Sequence, residues 1–166
     1  MSLACVLVIN CGSSSMKFSV IPQDDDQPVL SGLAERLGID HAVQVRAGRD
    51  YLVVLQDQQQ VEALQPDIAA MMPLGKMVCV TALGDHHDFV SRFFCPGEAV
   101  AEDPVTGSTH SMLIPYWGEK LGKTHLAARQ VSARGGDLRC EWRGDRVSIA
   151  GQATTYLTGR IQLKQA

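Results

Sequence analysis

One stretch limits what this chain can fold into. The spacing predicts a helix over Met112–Leu121, with His110, Leu113, Ile114, Trp117 and Leu121 recurring along one side at a period near 3.6. A helix this apolar belongs in the middle of a sheet that curls around it. Pro115 falls inside it and removes one backbone hydrogen bond, which predicts a distorted first turn. Gly122 is the expected C-terminal stop. A strand, Phe89–Phe94, precedes it, with Arg92 facing outward. Between the two runs Glu102-Asp103-Pro104-Val105-Thr106-Gly107-Ser108-Thr109-His110.

That loop carries the chemistry. A loop entering a helix leaves backbone N–H groups without partners, and with the helix dipole they make a ready site for a carboxylate or phosphate. Gly107 lacks a Cβ, so a ligand can approach the backbone there. Asp103 is placed to take or give a proton, and Thr106 and Ser108 are candidate caps and hydroxyl donors. The same residues also suit a plain turn and helix start, with Asp103 capping the turn before Pro104.

The remaining elements are short. Ala4–Asn10 and Met16–Ile21 flank a Gly-Ser turn and read as a β-hairpin. Val29–Leu33 reads as a strand and Ala34–Leu37 as a short helix. Ala42–Arg46 and Tyr51–Leu55 are apolar strands with poor alternation, hence buried. Asp57 caps a helix over Gln58–Leu64, and Pro66 opens another over Pro66–Met72. Met77–Leu83 is a strand. His125–Ser132, Leu138–Arg143, Arg146–Ala150 and Ala153–Leu157 then form an antiparallel meander, signalled by the turns Gly135-Gly136-Asp137 and Gly144-Asp145. Arg160–Leu163 is a possible last edge strand. The class is α+β.

Several function classes drop out. A net charge of −3 gives no basic field for nucleic acid. No apolar run reaches transmembrane length, and the start lacks a secretory pattern, so a cytoplasmic location without membrane association is expected. The five cysteines (Cys5, Cys11, Cys79, Cys95 and Cys140) are odd in number and form no C-x-x-C pair, which argues against structural zinc and a disulfide framework. Cys95 is a conceivable nucleophile but has no partner histidine at a recognisable spacing. His86 and His87, flanked by Asp85 and Asp88, look like ligands. As strand neighbours, however, they would point to opposite faces, and no metal is assigned.

The run from Phe93 to Trp117, F-F-C-P-G-E-A-V-A-E-D-P-V-T-G-S-T-H-S-M-L-I-P-Y-W, resembles the signature of the phenazine-biosynthesis PhzF-like isomerases, which are related in fold to diaminopimelate epimerase. Asp50–Leu55, Ala63–Asp67, Gln130–Gly136 and Ile149–Ala153 extend the resemblance over about Leu33 to Ala166. It implies a diaminopimelate-epimerase-like antiparallel barrel around a central helix. It also implies cofactor-independent proton transfer on a small carboxylate, with Asp103 in catalysis and Gly107, Ser108 and Thr109 holding the substrate. Two such barrels face each other in the family, and the half that carries its Glu general base has no counterpart here. Impaired activity and a homodimer that rebuilds the cleft are therefore expected.

The first residues, V-L-V-I-N-C-G-S-S-S-M-K-F-S-V-I and L-S-G-L-A-E-R-L-G, are instead similar to the start of acetate kinase. That resemblance places Asn10, Ser13, Ser15 and Lys17 at a phosphate-transfer site. It ends near Gly38, leaves out the nucleotide-binding domain and implies no kinase activity. The expected division is a hairpin segment over 1–38 and a PhzF-like domain over 39–166. A phosphotransferase fragment and a non-catalytic anion-binding domain are the alternatives.

Overall fold

The computed structural model describes residues 5–12, 15–22, 33–39 and 42–160. Strands β1 (Cys5–Gly12) and β2 (Ser15–Pro22) pair antiparallel as the expected hairpin, in a sheet of their own. Helix α1 covers 33–37. There follow β3 (Gln44–Ala47), β4 (Tyr51–Val54), α2 (Gln58–Ala63), α3 (Ile68–Met71) and a 3-10 turn at Met72–Leu74. Strands β5 (Val78–Leu83) and β6 (Phe89–Phe94), helix α4 (His110–Leu121), and strands β7 (His125–Gln130), β8 (Gly136–Arg143) and β9 (Arg146–Ala150) complete the chain.

Strands β3 to β9 form one sheet in chain order. Pairing is antiparallel except at β4/β5 and β6/β7, which are parallel. Those are the two places where a helical excursion interrupts the meander, and parallel neighbours need such a crossover. The α+β class holds, with a mixed sheet.

Both faces of the sheet are covered, which explains the poor alternation of its strands. Leu52 and Val54 of β4 turn to the face that carries Leu113, Ile114 and Trp117 of α4. Val53 and Leu55 turn to the face that carries Leu33 and Leu37 of α1, Val61 and Leu64 around α2, and Met71 of α3. Asp57 caps α2 as expected, accepting from Gln60 N at 2.8 Å. The next helix is shorter than expected. Asp67 caps it by accepting from Ala70 N at 2.9 Å, so Pro66 lies before the cap instead of inside the first turn.

Helix α4 starts at His110, two residues earlier than the apolar spacing indicates. Its first turn is distorted as expected. His110, Ser111 and Met112 donate to the carbonyls three residues back (Gly107, Ser108 and Thr109), and the regular four-residue spacing begins at Leu113 N to Thr109 O. Gly122 ends it in the left-handed region, φ 64°.

The strand expected at Ala153–Leu157 is absent. Residues 151–160 have no regular structure and are exposed, because past Ala150 no neighbouring strand among the described residues supplies a ladder. Most of the expected strands at Val29–Leu33 and Arg160–Leu163 lies outside the described residues. Leu33 itself opens α1, and Arg160 is in the exposed stretch.

Candidate active site at the start of helix α4

The site forms along one edge of β6. Strand β7 takes that edge only at Phe89, Val90 and Ser91, ending with Gln130 beside Ser91. The loop before α4 takes the same edge further on. Cys95 N donates to Ala101 O, Glu102 bridges Phe94, and Asp103 N donates to Phe93 O at 3.0 Å. Asp103 and Gln130 are therefore neighbours end to end, although 27 residues separate them.

Thr106 sits at the centre of the contacts that follow. Its hydroxyl donates to Asp103 Oδ2 at 2.7 Å. Its N–H donates to Gln130 Oε1 at 2.7 Å, and its carbonyl accepts from His110 Nδ1 at 2.7 Å. Gln130 Nε2 donates to Asp103 O at 2.5 Å and lies 3.2 Å from Thr106 Oγ1. Ser132 Oγ donates to Pro104 O at 2.8 Å and accepts from Gly135 N. Gly136 brings β8 against the loop so closely that a Cβ there would meet Val105 Cγ2 at 2.5 Å. Asp103 is half-buried, and among the described residues its Oδ1 has no hydrogen-bond partner.

The loop is held, yet its tip is open. Gly107 and Ser108 are exposed, and a Cβ at Gly107 would meet nothing within 4 Å. Among the described residues no acceptor takes the N–H groups of Gly107, Ser108 or Thr109. Neither Thr106 nor Ser108 caps the helix, in contrast to expectation. The N-cap is Thr109, whose backbone is already helical and whose hydroxyl is buried beside the Cys79 thiol and caps nothing. Thr106 spends its hydroxyl on Asp103 instead. Asp103 likewise accepts from a side chain, and among the described residues its carboxylate takes no backbone N–H.

His110 is fully buried against Phe89, with ring centroids 5.9 Å apart. Burial pushes its pKa down, against the opposing hydrogen bond to Thr106 O, so the ring is neutral with Nδ1 as the donor. Burial holds the Cys95 thiol up, and Cys79 is pushed up to about 12, so neither is an activated thiolate at neutral pH.

Arg92 is not outward. It faces α2 and makes a two-pronged pair with Glu102, Nε to Oε1 at 2.8 Å and Nη2 to Oε2 at 2.9 Å, while Nη1 donates to Leu64 O at 2.8 Å. Glu102 is thereby engaged, and Asp103 remains as the carboxylate beside the open turn. His87 pairs with Asp137 at 3.1 Å, away from an exposed His86. Of the residues tied to phosphate transfer, Asn10, Ser15 and Lys17 lie on β1 and β2, where Asn10 opposes Lys17 and Gly12 opposes Ser15. Their side chains, and all of Ser13, lie outside the described residues.

Sequence reasoning missed Gln130 and Ser132 as clamps on the loop. Their signal was present in Gln130-Val131-Ser132-Ala133-Arg134-Gly135-Gly136, a segment of the family resemblance to which no role attaches in the sequence alone.

The chain is 50% identical over 133 residues to an uncharacterized isomerase of Pseudomonas aeruginosa, covering 80% of this chain and 51% of that protein. It is 39% identical over 134 residues to an uncharacterized isomerase of Halalkalibacterium halodurans, with coverage of 79% and 51%. The chain thus spans about half the length of these curated relatives. A PhzF-family protein of Enterococcus faecalis superposes with a TM-score of 0.74 at 44% identity, over 82% of this chain and 53% of that one. A PhzC/PhzF protein of Clostridium difficile gives 0.72 at 35% identity, over 95% and 55%. A match covering 95% of the chain takes in much of the first 38 residues, and the acetate-kinase resemblance there gains no support. The family model for phenazine biosynthesis-like proteins matches residues 15–159. The chain belongs to the phenazine biosynthesis-like (PhzC-PhzF) family.

Proposed function

We propose that this chain is one unit of an isomerase that moves a proton on a small carboxylate without a cofactor. The N–H groups of Gly107, Ser108 and Thr109 hold the substrate carboxylate, and Asp103 gives or takes the proton. The observation that carries this reading is a juxtaposition. Three N–H groups without acceptors among the described residues surround an open glycine, and Asp103, whose Oδ1 has no partner among them, stands four residues before it. Backbone donors at a helix start favour a bound anion, and a carboxylate held in place by a neighbour is suited to acid–base work. In this reading the opposite wall of the cleft comes from outside the unit described here. A second copy, related by a twofold axis, supplies it, and the isolated chain is impaired. The division at about residue 38 stays part of this reading, with α1 packed on the later unit.

The test is solvent deuterium incorporation into a dihydroanthranilate-like carbon acid, followed by NMR, with sedimentation of the same sample. Wild-type dimer should incorporate deuterium. Asp103→Asn should fold and dimerise but lose incorporation. Incorporation by Asp103→Asn at the wild-type rate contradicts the assignment. No incorporation by wild-type protein leaves a non-catalytic anion-binding domain.

A further inference from the structure

We propose that Gln130 is a positioning residue for Asp103. It acts through Thr106, and it holds one Asp103 oxygen so that the other is free for proton transfer. The inference rests on the reading of Asp103 given above for its catalytic meaning, but its geometry stands separately.

Gln130 is the last residue of β7 and is fully buried. A buried amide brings two donor protons and an acceptor that must find partners. All of those bonds go to the turn 103–106. Oε1 takes the Thr106 N–H, one Nε2 proton goes to Asp103 O, and the other faces Thr106 Oγ1. The direction of the last contact matters. A hydroxyl has one proton and two lone pairs. The amide of Gln130 can only donate to Thr106 Oγ1, which leaves the single Thr106 proton free to point at Asp103 Oδ2, 2.7 Å away. The chain of donors runs one way, from Gln130 to Thr106 to Asp103. His110 completes the frame from below by donating to Thr106 O. With Oδ2 occupied, the carboxylate cannot rotate freely about its side-chain bonds, and Oδ1 is left as the exchanging oxygen.

The alternative is that Gln130 merely satisfies the backbone of a turn. The two roles differ in what Asp103 does. Gln130→Met keeps the volume and removes both functions of the amide. The first readout needs no activity. Three-bond NMR couplings about χ1 of Asp103 should report a single rotamer in the wild type and averaged rotamers in Gln130→Met. Unchanged couplings in a folded Gln130→Met overturn the proposal, whatever the activity.

Gln130→Glu separates the roles further and covers the case in which the methionine variant fails to fold. Its buried carboxyl, held high by burial, has a donor proton only when neutral. The single rotamer should therefore return as the pH falls and be lost as it rises. A rotamer state independent of pH in this variant counts against the proposal.

The second readout is the deuterium exchange. In Gln130→Met the kcat should fall at least about tenfold with KM within about twofold, because an orienting contact is lost and not a binding one. Thr106→Val should lower it similarly, and the double variant no further. Additive losses contradict action through Thr106. If the wild type shows no exchange, the catalytic reading fails while the coupling result still decides the positioning claim.

Discussion

The two faces of the seven-stranded sheet differ in what they bury. Under α1, α2 and α3 the core is Leu33, Leu37, Val53, Leu55, Val61, Leu64, Met71, Val78, Val80, Ala82, Val90 and Phe94. Under α4 the apolar cluster shares its face with buried polar groups. Thr81 accepts from Trp117 Nε1 at 3.0 Å, Gln130 holds the loop, and among the described residues Ser91 and His110 each keep a buried polar atom without a partner. An unpaired buried polar atom costs about 1–3 kcal/mol. Among the described residues, the buried polar atoms without a partner lie on the α4 face, the face on which we propose the site, and the other face serves cohesion.

The largest effect should come from the apolar face. Leu37→Ala, at a fully buried position, should lower stability by about 2–5 kcal/mol in chemical denaturation, through lost burial and a cavity. Anion affinity of the molecules that remain folded should not change. A fall in affinity matching the fall in stability would erase the division between the faces.

Gly136→Ala should cost less and act differently. The new methyl would drive into Val105 at 2.5 Å, and overpacking of this kind costs about 1–3 kcal/mol. Because Val105 lies in the loop, carboxylate binding should weaken together with stability, and Val105→Ala in the same chain should recover both. Loss of stability with binding intact would place the loop outside the site.

The smallest effect is the pH dependence of His110. Its folded pKa lies below the ordinary 6.5, chiefly because of burial, so the unfolded chain binds the proton more readily. Stability from this group is full above pH 6.5 and is lost as the pH falls below it toward the folded pKa, at no more than about 1.4 kcal/mol per pH unit. Denaturation midpoints between pH 7.5 and 5 should show that slope, and His110→Phe should flatten it. An equal slope in the variant assigns the effect elsewhere.

What was legible in the sequence was local. The hairpin, the Asp57 cap, the distorted start of α4 and its Gly122 stop each follow from residues a few positions apart. What was not legible depended on partners distant in sequence. Arg92 turns inward because Glu102, ten residues on, and the carbonyl of Leu64 await it. Gln130 reaches Asp103 only because both occupy one edge of β6. Residues 153–157 have the composition of a strand, but no neighbour exists for it within the described residues. The apolar spacing marked where α4 is buried and missed where it begins, since its first turn is set by the backbone of Gly107 and Ser108.

The division between the faces rests on the open turn at the start of α4 being an anion site. The direct measurement is a titration of isotopically labelled protein with anthranilate, following backbone amide resonances. The account predicts saturable shifts centred on Gly107, Ser108 and Thr109, with Asp103 and Thr106 following and the residues under α1 to α3 silent. Saturable binding that leaves those three amides unmoved, or no binding up to millimolar anthranilate, would contradict it.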